Sequence, residues 1–367
     1  MNKEVISDKQ GLSLLIIFIV GTSTMVVAGS EAKKDFWLAI ILAMCMAFPI
    51  LLIYARLCNI FPHKDLFDLI EICFGKVFGK GLCLFYTWHL FHGVTMVLLN
   101  FGLFVNTIAF SDTPRIIPMI GISILSIWVL REGIEVMGRW TEFFIIIFAV
   151  SILIVFLLLI PNMNITNILP FLSNGMKPVI QGAFSSFSFP FGETVLFNMI
   201  FFNLKNEKSS YKIYMGALWI GGCVLLLVSF MDLFVLGEST VSNTYFPSYD
   251  AITRINIGDL LQRLEIIIGG IYTFGAFMKM SLYLYATCRC VTKVFGYNHY
   301  RFAVTPISLL MINLSYFLHD NIIYNMEWNL EIWAYYAFPF QVIFPILLWI
   351  TAEIKKRQYT IKNRIFH

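Results

Sequence analysis

The chain has 367 residues, of which 59% are hydrophobic and only 13% charged, with 36 Phe and a formal net charge of +4; its mean hydropathy is +0.78. A soluble domain carries about 25% charged residues, so this much apolar surface excludes a soluble globular fold. No run of basic residues interleaved with aromatics is present, which argues against a nucleic-acid partner.

Met1–Gln10 is charged and is followed by a long apolar run without a small-x-small cleavage site, so it introduces a first span rather than a removable signal. A helix needs roughly 20 mostly apolar residues to cross the hydrocarbon core. Ten stretches meet that need: 11–30, 36–58, 81–109, 115–131, 139–161, 177–203, 211–237, 262–290, 302–318 and 331–353. No linker separates them, so 1–367 reads as a single polytopic membrane domain.

The first span carries Gly21-Thr22-Ser23-Thr24 at its centre. After the second, Pro62–Lys80 alternates Leu66, Phe67, Leu69, Ile70 and Cys73 with Asp65, Asp68, Glu71 and Lys76, the pattern of an amphipathic helix at a membrane interface. His89 and His92 share a face of the third span. They lack a third ligand for a metal and read as a structural pair or as part of a cavity lining. Arg139 and Glu142 open the fifth span as an i, i+3 pair.

The sixth span contains Ser185-Ser186-Phe187-Ser188-Phe189-Pro190-Phe191-Gly192-Glu193, where Pro190 removes a backbone donor and Gly192 tolerates unusual angles. The 237–261 loop after the seventh span is long enough for a lid or a plain connector. Asp232 and Glu265 beside it, like Glu142, lie near span ends and read as solvated. Lys279 falls in the middle of the eighth span, too deep to snorkel easily. It is expected either to pair with a carboxylate or to stand where a sodium ion would otherwise bind.

Placing both termini in the cytoplasm puts 19 of the 26 Lys and Arg on that side and 6 on the other, with Lys279 within a span. The positive-inside rule then favours this orientation. The seven cysteines are scattered through apolar runs and read as small hydrophobes.

Interruptions in the first and sixth spans are separated by five spans, as two inverted five-helix repeats require, and paired interruptions of this kind point to a binding site at the membrane midplane. The expected fold is thus an all-α membrane protein of ten transmembrane helices, a five-plus-five inverted repeat with helices 1 and 6 broken. A simple Pro190 kink is the bland alternative. Glu193 begins the second half of the sixth span, where a carboxylate suits the helix dipole as a ligand group or as a cap. No phosphate-binding loop, His-Glu-x-x-His or nucleophile elbow is present. No enzyme activity, catalytic residue, metal or cofactor is expected.

Ser7-Asp8-Lys9-Gln10 before the first span, Gly75-Lys76 to Gly79-Lys80 before the third, and Phe189-Pro190-Phe191-Gly192-Glu193-Thr194 in the sixth carry a resemblance over essentially the whole chain. It resembles the B subunits of bacterial spore germinant receptors, within the amino acid–polyamine–organocation transporter superfamily. The resemblance implies a leucine-transporter-like (LeuT-like) fold in the spore inner membrane and a small nutrient ligand, commonly an amino acid. It also implies partnership with an A subunit and a C lipoprotein subunit, with membrane lipid around all three. Carried onto this sequence, the ligand site comprises Gly21, Thr22, Ser23 and Thr24, then Ser186, Phe187, Ser188, Gly192 and Glu193, with Lys279 on the eighth span. The hydroxyl-rich first break departs from the glycine-rich break of typical amino-acid transporters. A proton-coupled transporter of amino acids or related solutes is the competing function.

Overall fold

The protein is seen in a computed structural model that describes residues 4–24, 28–61, 63–255, 265–297 and 299–365. Residues 25–27 of the first span, Pro62, the end of the 237–261 loop and the start of the 262–290 span lie outside the described residues. Among the described residues the architecture is helical, with one isolated bridge between Ile6 and Leu204.

The helices in chain order are α1 (Asp8–Val20), α2 (Phe36–Ile60), α3 (Leu66–Phe74), α4 (Lys76–Ile108), α5 (Ile116–Glu132), α6 (Ile134–Leu159), α7 (Met176–Ser186), α8 (Ser210–Val241), α9 (Pro247–Ile252), α10 (Glu265–Phe295), α11 (Arg301–Leu318), α12 (Ile322–Glu327), α13 (Trp333–Phe338) and α14 (Phe344–Ile365). Two π-helical turns, Trp328–Ile332 and Pro339–Ile343, join the last three.

Seven helical stretches are long and apolar enough to cross a membrane among the described residues, where the sequence reading expects ten. The difference falls on the first, fourth and sixth spans. α1 stops at Val20 after 13 residues. α5 has 17 residues and rises only about 25 Å. The 177–203 stretch is divided between the 11 residues of α7 and tighter or looser turns beyond it.

α3 is shorter than the 62–80 helix read from the sequence. Asp65 caps its start by accepting from the amides of Phe67 and Asp68 at 3.1 and 3.0 Å, and Gly75 ends it at φ +81°. Lys76–Lys80 therefore belongs to α4. The apolar face of α3 (Leu66, Phe67, Leu69, Ile70) is buried, packed on α4 and α14 rather than laid on lipid. Arg289 and Lys293 from α10 reach Asp65 at 3.1 and 2.6 Å. Burial by itself raises the Asp65 carboxyl, but these two cations and the cap bonds hold it below its ordinary range. Arg139 pairs one turn back with Glu135, at 2.8 Å, and not with Glu142.

Hydrophobic burial gives little preference between helix and lipid contacts, so close approach at small residues decides how such helices assemble. On α8, a side chain at Gly221 would meet Ile19 of α1 at 2.8 Å, and one at Gly222 would meet Met44 of α2 at 2.4 Å. The outer face of α6 instead exposes Phe143, Ile146, Val150, Leu153 and Leu157, as lipid contact requires.

Candidate ligand cavity

After Val20 the chain turns through Gly21–Thr24. Gly21 meets Gly275 of α10 backbone to backbone: a Cβ on Gly275 would lie 2.4 Å from the Gly21 Cα. This crossing presses the turn into the protein. Thr22, Ser23 and Thr24 are all buried, and none of their hydroxyl oxygens has a hydrogen-bond partner.

The segment after α7 is built differently. Phe187–Phe191 is a wide turn in which Phe189 leaves helical angles altogether (φ −128°, ψ 114°), with Pro190 next to it. Residues Gly192–Met199 then wind tightly. Buried carbonyls released by such irregularity need donors, and distant elements supply them. The Gln341 side chain donates to Ser188 O at 3.0 Å. Tyr54 OH donates to Gln341 O and sits 3.2 Å from Gly192 O. Tyr86 OH donates to Phe340 O at 2.8 Å, closing the π turn from which Gln341 projects. Gly192 is required here because a Cβ would lie 2.3 Å from Gln341 Oε1.

Lys279 and Glu193, expected separately at the site, are brought together: Lys279 Nζ lies 2.6 Å from Glu193 Oε2, with side-chain exposures of 0% and 4%. The ammonium also rests 4.1 Å from the Phe189 ring centroid and 4.9 Å from that of Phe18, within cation–π range. The pair is close without being an aligned hydrogen bond, and neither atom has a partner of good geometry. Tyr283 stands beside the carboxyl, its ring laid on Gly93, where a Cβ would come within 2.7 Å.

Glu193 and Phe189 form part of the wall of a cavity of about 80 Å³ lined also by Gly29, Gly93, Asn100, Ser185 and Trp333. A smaller cleft of about 40 Å³ adjoins it across Phe189 and Asn100, with Thr22, Phe246, Tyr272 and Asn325 in its wall. Asn100 Oδ1 accepts from Asn325 and Asn329 at 2.6 and 3.2 Å, tying α4 to the α12 region between the two spaces.

Of the residues expected from sequence, Glu193 and Thr22 line these spaces, and Lys279 touches Glu193. Gly21 serves the helix crossing, and Gly192 makes room for Gln341. Ser23, Thr24, Ser186, Phe187 and Ser188 are buried nearby without lining either space; the hydroxyls of Ser186 and Ser188 lack partners. Sequence reasoning missed Asn100, Asn325, Asn329, Phe189, Trp333 and Gln341. Asn100 had a usable signal, since polar side chains inside apolar runs are rare; Asn325 and Asn329 sit in the polar stretch between the ninth and tenth spans and had none.

His89 and His92 sit in an aromatic box. The His89 ring stacks on Phe340 at 4.3 Å and 4°, and His92 meets Tyr336 and Trp328 edge-on at 5.2 and 5.4 Å. Among the described residues no group of three or more His, Cys, Asp or Glu is placed to hold a metal ion. Asp232 corrects the sequence reading outright: it is 3% exposed, covered by α9, and not solvated.

The family profile described as "Spore germination protein" matches residues 5–322. Spore germination protein KB of Bacillus subtilis (strain 168) is 30% identical over 362 residues, 98% of this chain and 97% of that one. Two solved transporters share the fold. MHP1, a nucleobase-cation-symport-1 family transporter in a closed conformation with bromovinylhydantoin bound, has a TM-score of 0.67 at 12% identity, covering 92% of this chain and 77% of that one. MhsT in complex with L-phenylalanine has a TM-score of 0.65 at 13% identity, covering 93% and 87%.

Proposed function

Because the chain belongs to the spore germination protein family, we propose that it is the nutrient-sensing subunit of a germinant receptor, binding a small germinant such as an amino acid in the Glu193 cavity. Ligand binding is then passed to partner subunits, an A subunit and a C lipoprotein. In this reading the chain spans the spore inner membrane ten times, as two inverted five-helix repeats with both termini cytoplasmic. Gly21–Thr24 and Ser186–Glu193 are its paired interruptions. The observation that carries the reading is the buried Glu193–Lys279 ion pair at the wall of a cavity between two non-helical segments. A buried pair of this kind is costly to assemble, and ionisable groups at membrane depth are functional by default.

The MHP1 and MhsT structures hold small organic molecules, which supports a ligand of similar scale here. A thermal-shift screen of amino acids and sugars on the purified protein tests the proposal, because a ligand that binds only the folded state raises apparent stability. The Glu193–Lys279 pair also supports a second reading, a proton-coupled transporter, since its carboxyl could exchange a proton. Purified chain in liposomes separates the two. Concentrative uptake of labelled amino acid without partners would establish the transporter and overturn the sensor.

A further inference from the structure

Asp232 lies within α8, buried, and among the described residues no cation stands within ion-pair distance of it. Its partner is Ser248 on α9, whose Oγ is 2.7 Å from Asp232 Oδ2 and 2.5 Å from the backbone oxygen of Thr24. Both separations are full-strength O–H···O lengths. Ser248 is itself 3% exposed, so water has no access to share the load.

The donor count decides what Asp232 is. A serine hydroxyl has one hydrogen, and a peptide carbonyl has none. Ser248 must therefore donate to Thr24 O, and the second contact needs a hydrogen from Asp232. We propose that Asp232 is a proton-binding site, and that its protonated carboxyl completes a relay from Asp232 through Ser248 to Thr24 that latches α9 onto the 21–24 turn. An unpaired carboxylate at this depth is strongly disfavoured against the neutral acid, in agreement with the count.

Loss of the proton reverses the relay. The carboxylate becomes an acceptor, and a charge-assisted bond outcompetes a neutral one, so the Ser248 hydrogen turns to Asp232 and Thr24 O is left without a donor. α9 is then released from the turn beside the cleft that Thr22 and Phe246 line. The other ionisable groups on the packed elements are accounted for. Asp250 on α9 faces Asp232 and accepts from Thr244. Glu238, further along α8, faces Lys34 at 3.8 Å. The latch is independent of which nutrient the cavity takes.

Infrared difference spectroscopy of the purified protein reads the proton directly. Wild type minus Asp232→Asn at neutral pH is expected to show a protonated-carboxyl band that disappears on alkaline titration; its absence at neutral pH overturns the site. A nitroxide on Thr253→Cys, with Cys45 and Cys223 replaced by Ala, reads the latch. The label is expected to become mobile as the band disappears, to stay immobile at every pH in Asp232→Asn, whose amide donates in the carboxyl's place, and to be mobile throughout in Ser248→Ala. Mobility that ignores pH in the wild-type background, or immobility in Ser248→Ala, overturns the latch.

Discussion

The two irregular segments beside the cavity are stabilised in opposite ways. At Gly21–Thr24 the backbone is crowded against Gly275, while three hydroxyls have no partner. At Phe187–Glu193 the carbonyls are served by side chains from α2 and the Pro339–Ile343 turn, and the one carboxylate is served by α10. One segment is crowded by shape and leaves its three hydroxyls unspent, and the other is fixed by polar bonds drawn from across the chain. The first segment thus holds three unpartnered hydroxyls in a row, and the second holds the fixed charge with one more unpartnered hydroxyl at Ser188.

Substitutions can break that division. The largest effect is expected for Lys279→Met, which strands the Glu193 carboxylate and should cost about 3–5 kcal/mol, seen as a lowered melting temperature and a lost ligand-induced shift. Adding Glu193→Gln to it should restore most of the stability and none of the ligand response. Gly275→Ala comes next, at about 1–3 kcal/mol. It belongs at the upper end, because the obstacle is backbone. Wild-type stability here would show that the crossing gives way and that shape does not fix the first segment.

Gln341→Leu removes the donor to Ser188 O and should cost about 1–2 kcal/mol, measured as a shift in the denaturation midpoint with little change in expression. The smallest stability change belongs to Thr22→Val, within about 0.5 kcal/mol, because no bond is lost. Ligand affinity should nevertheless fall in the same variant, read by titration calorimetry with whichever compound the thermal screen identifies. Unaltered affinity would remove the first segment from the site.

Glu193 and Lys279 were legible in the sequence because a charge inside an apolar run stands out against its neighbours. Their pairing across 86 positions was not, since apolar periodicity is weak in helices buried all round and does not say which faces meet. Asp232 was misread for a related reason. Hydropathy places it near a span end, but its burial comes from α9, a six-residue helix inside what reads as a connector. Gln341 gave no cue, because its task is set by a carbonyl that exists only once the chain has turned at Phe189. The apolar runs marked α1, α5 and the 177–203 region without showing that their helices end early or stay short, which is a matter of backbone angle and of a residue or two at each end.

Gly275 and Lys279 are four residues apart, so they occupy one stripe of α10 with about 6 Å between them, and Tyr283 continues it one turn further on. The bare backbone crossing at Gly275 cannot compress, since no side chain there can change rotamer. It is a fulcrum. A tilt of α10 about that point leaves the 21–24 turn where it is and moves Lys279 and Tyr283, on the longer arm beyond it, together relative to Glu193.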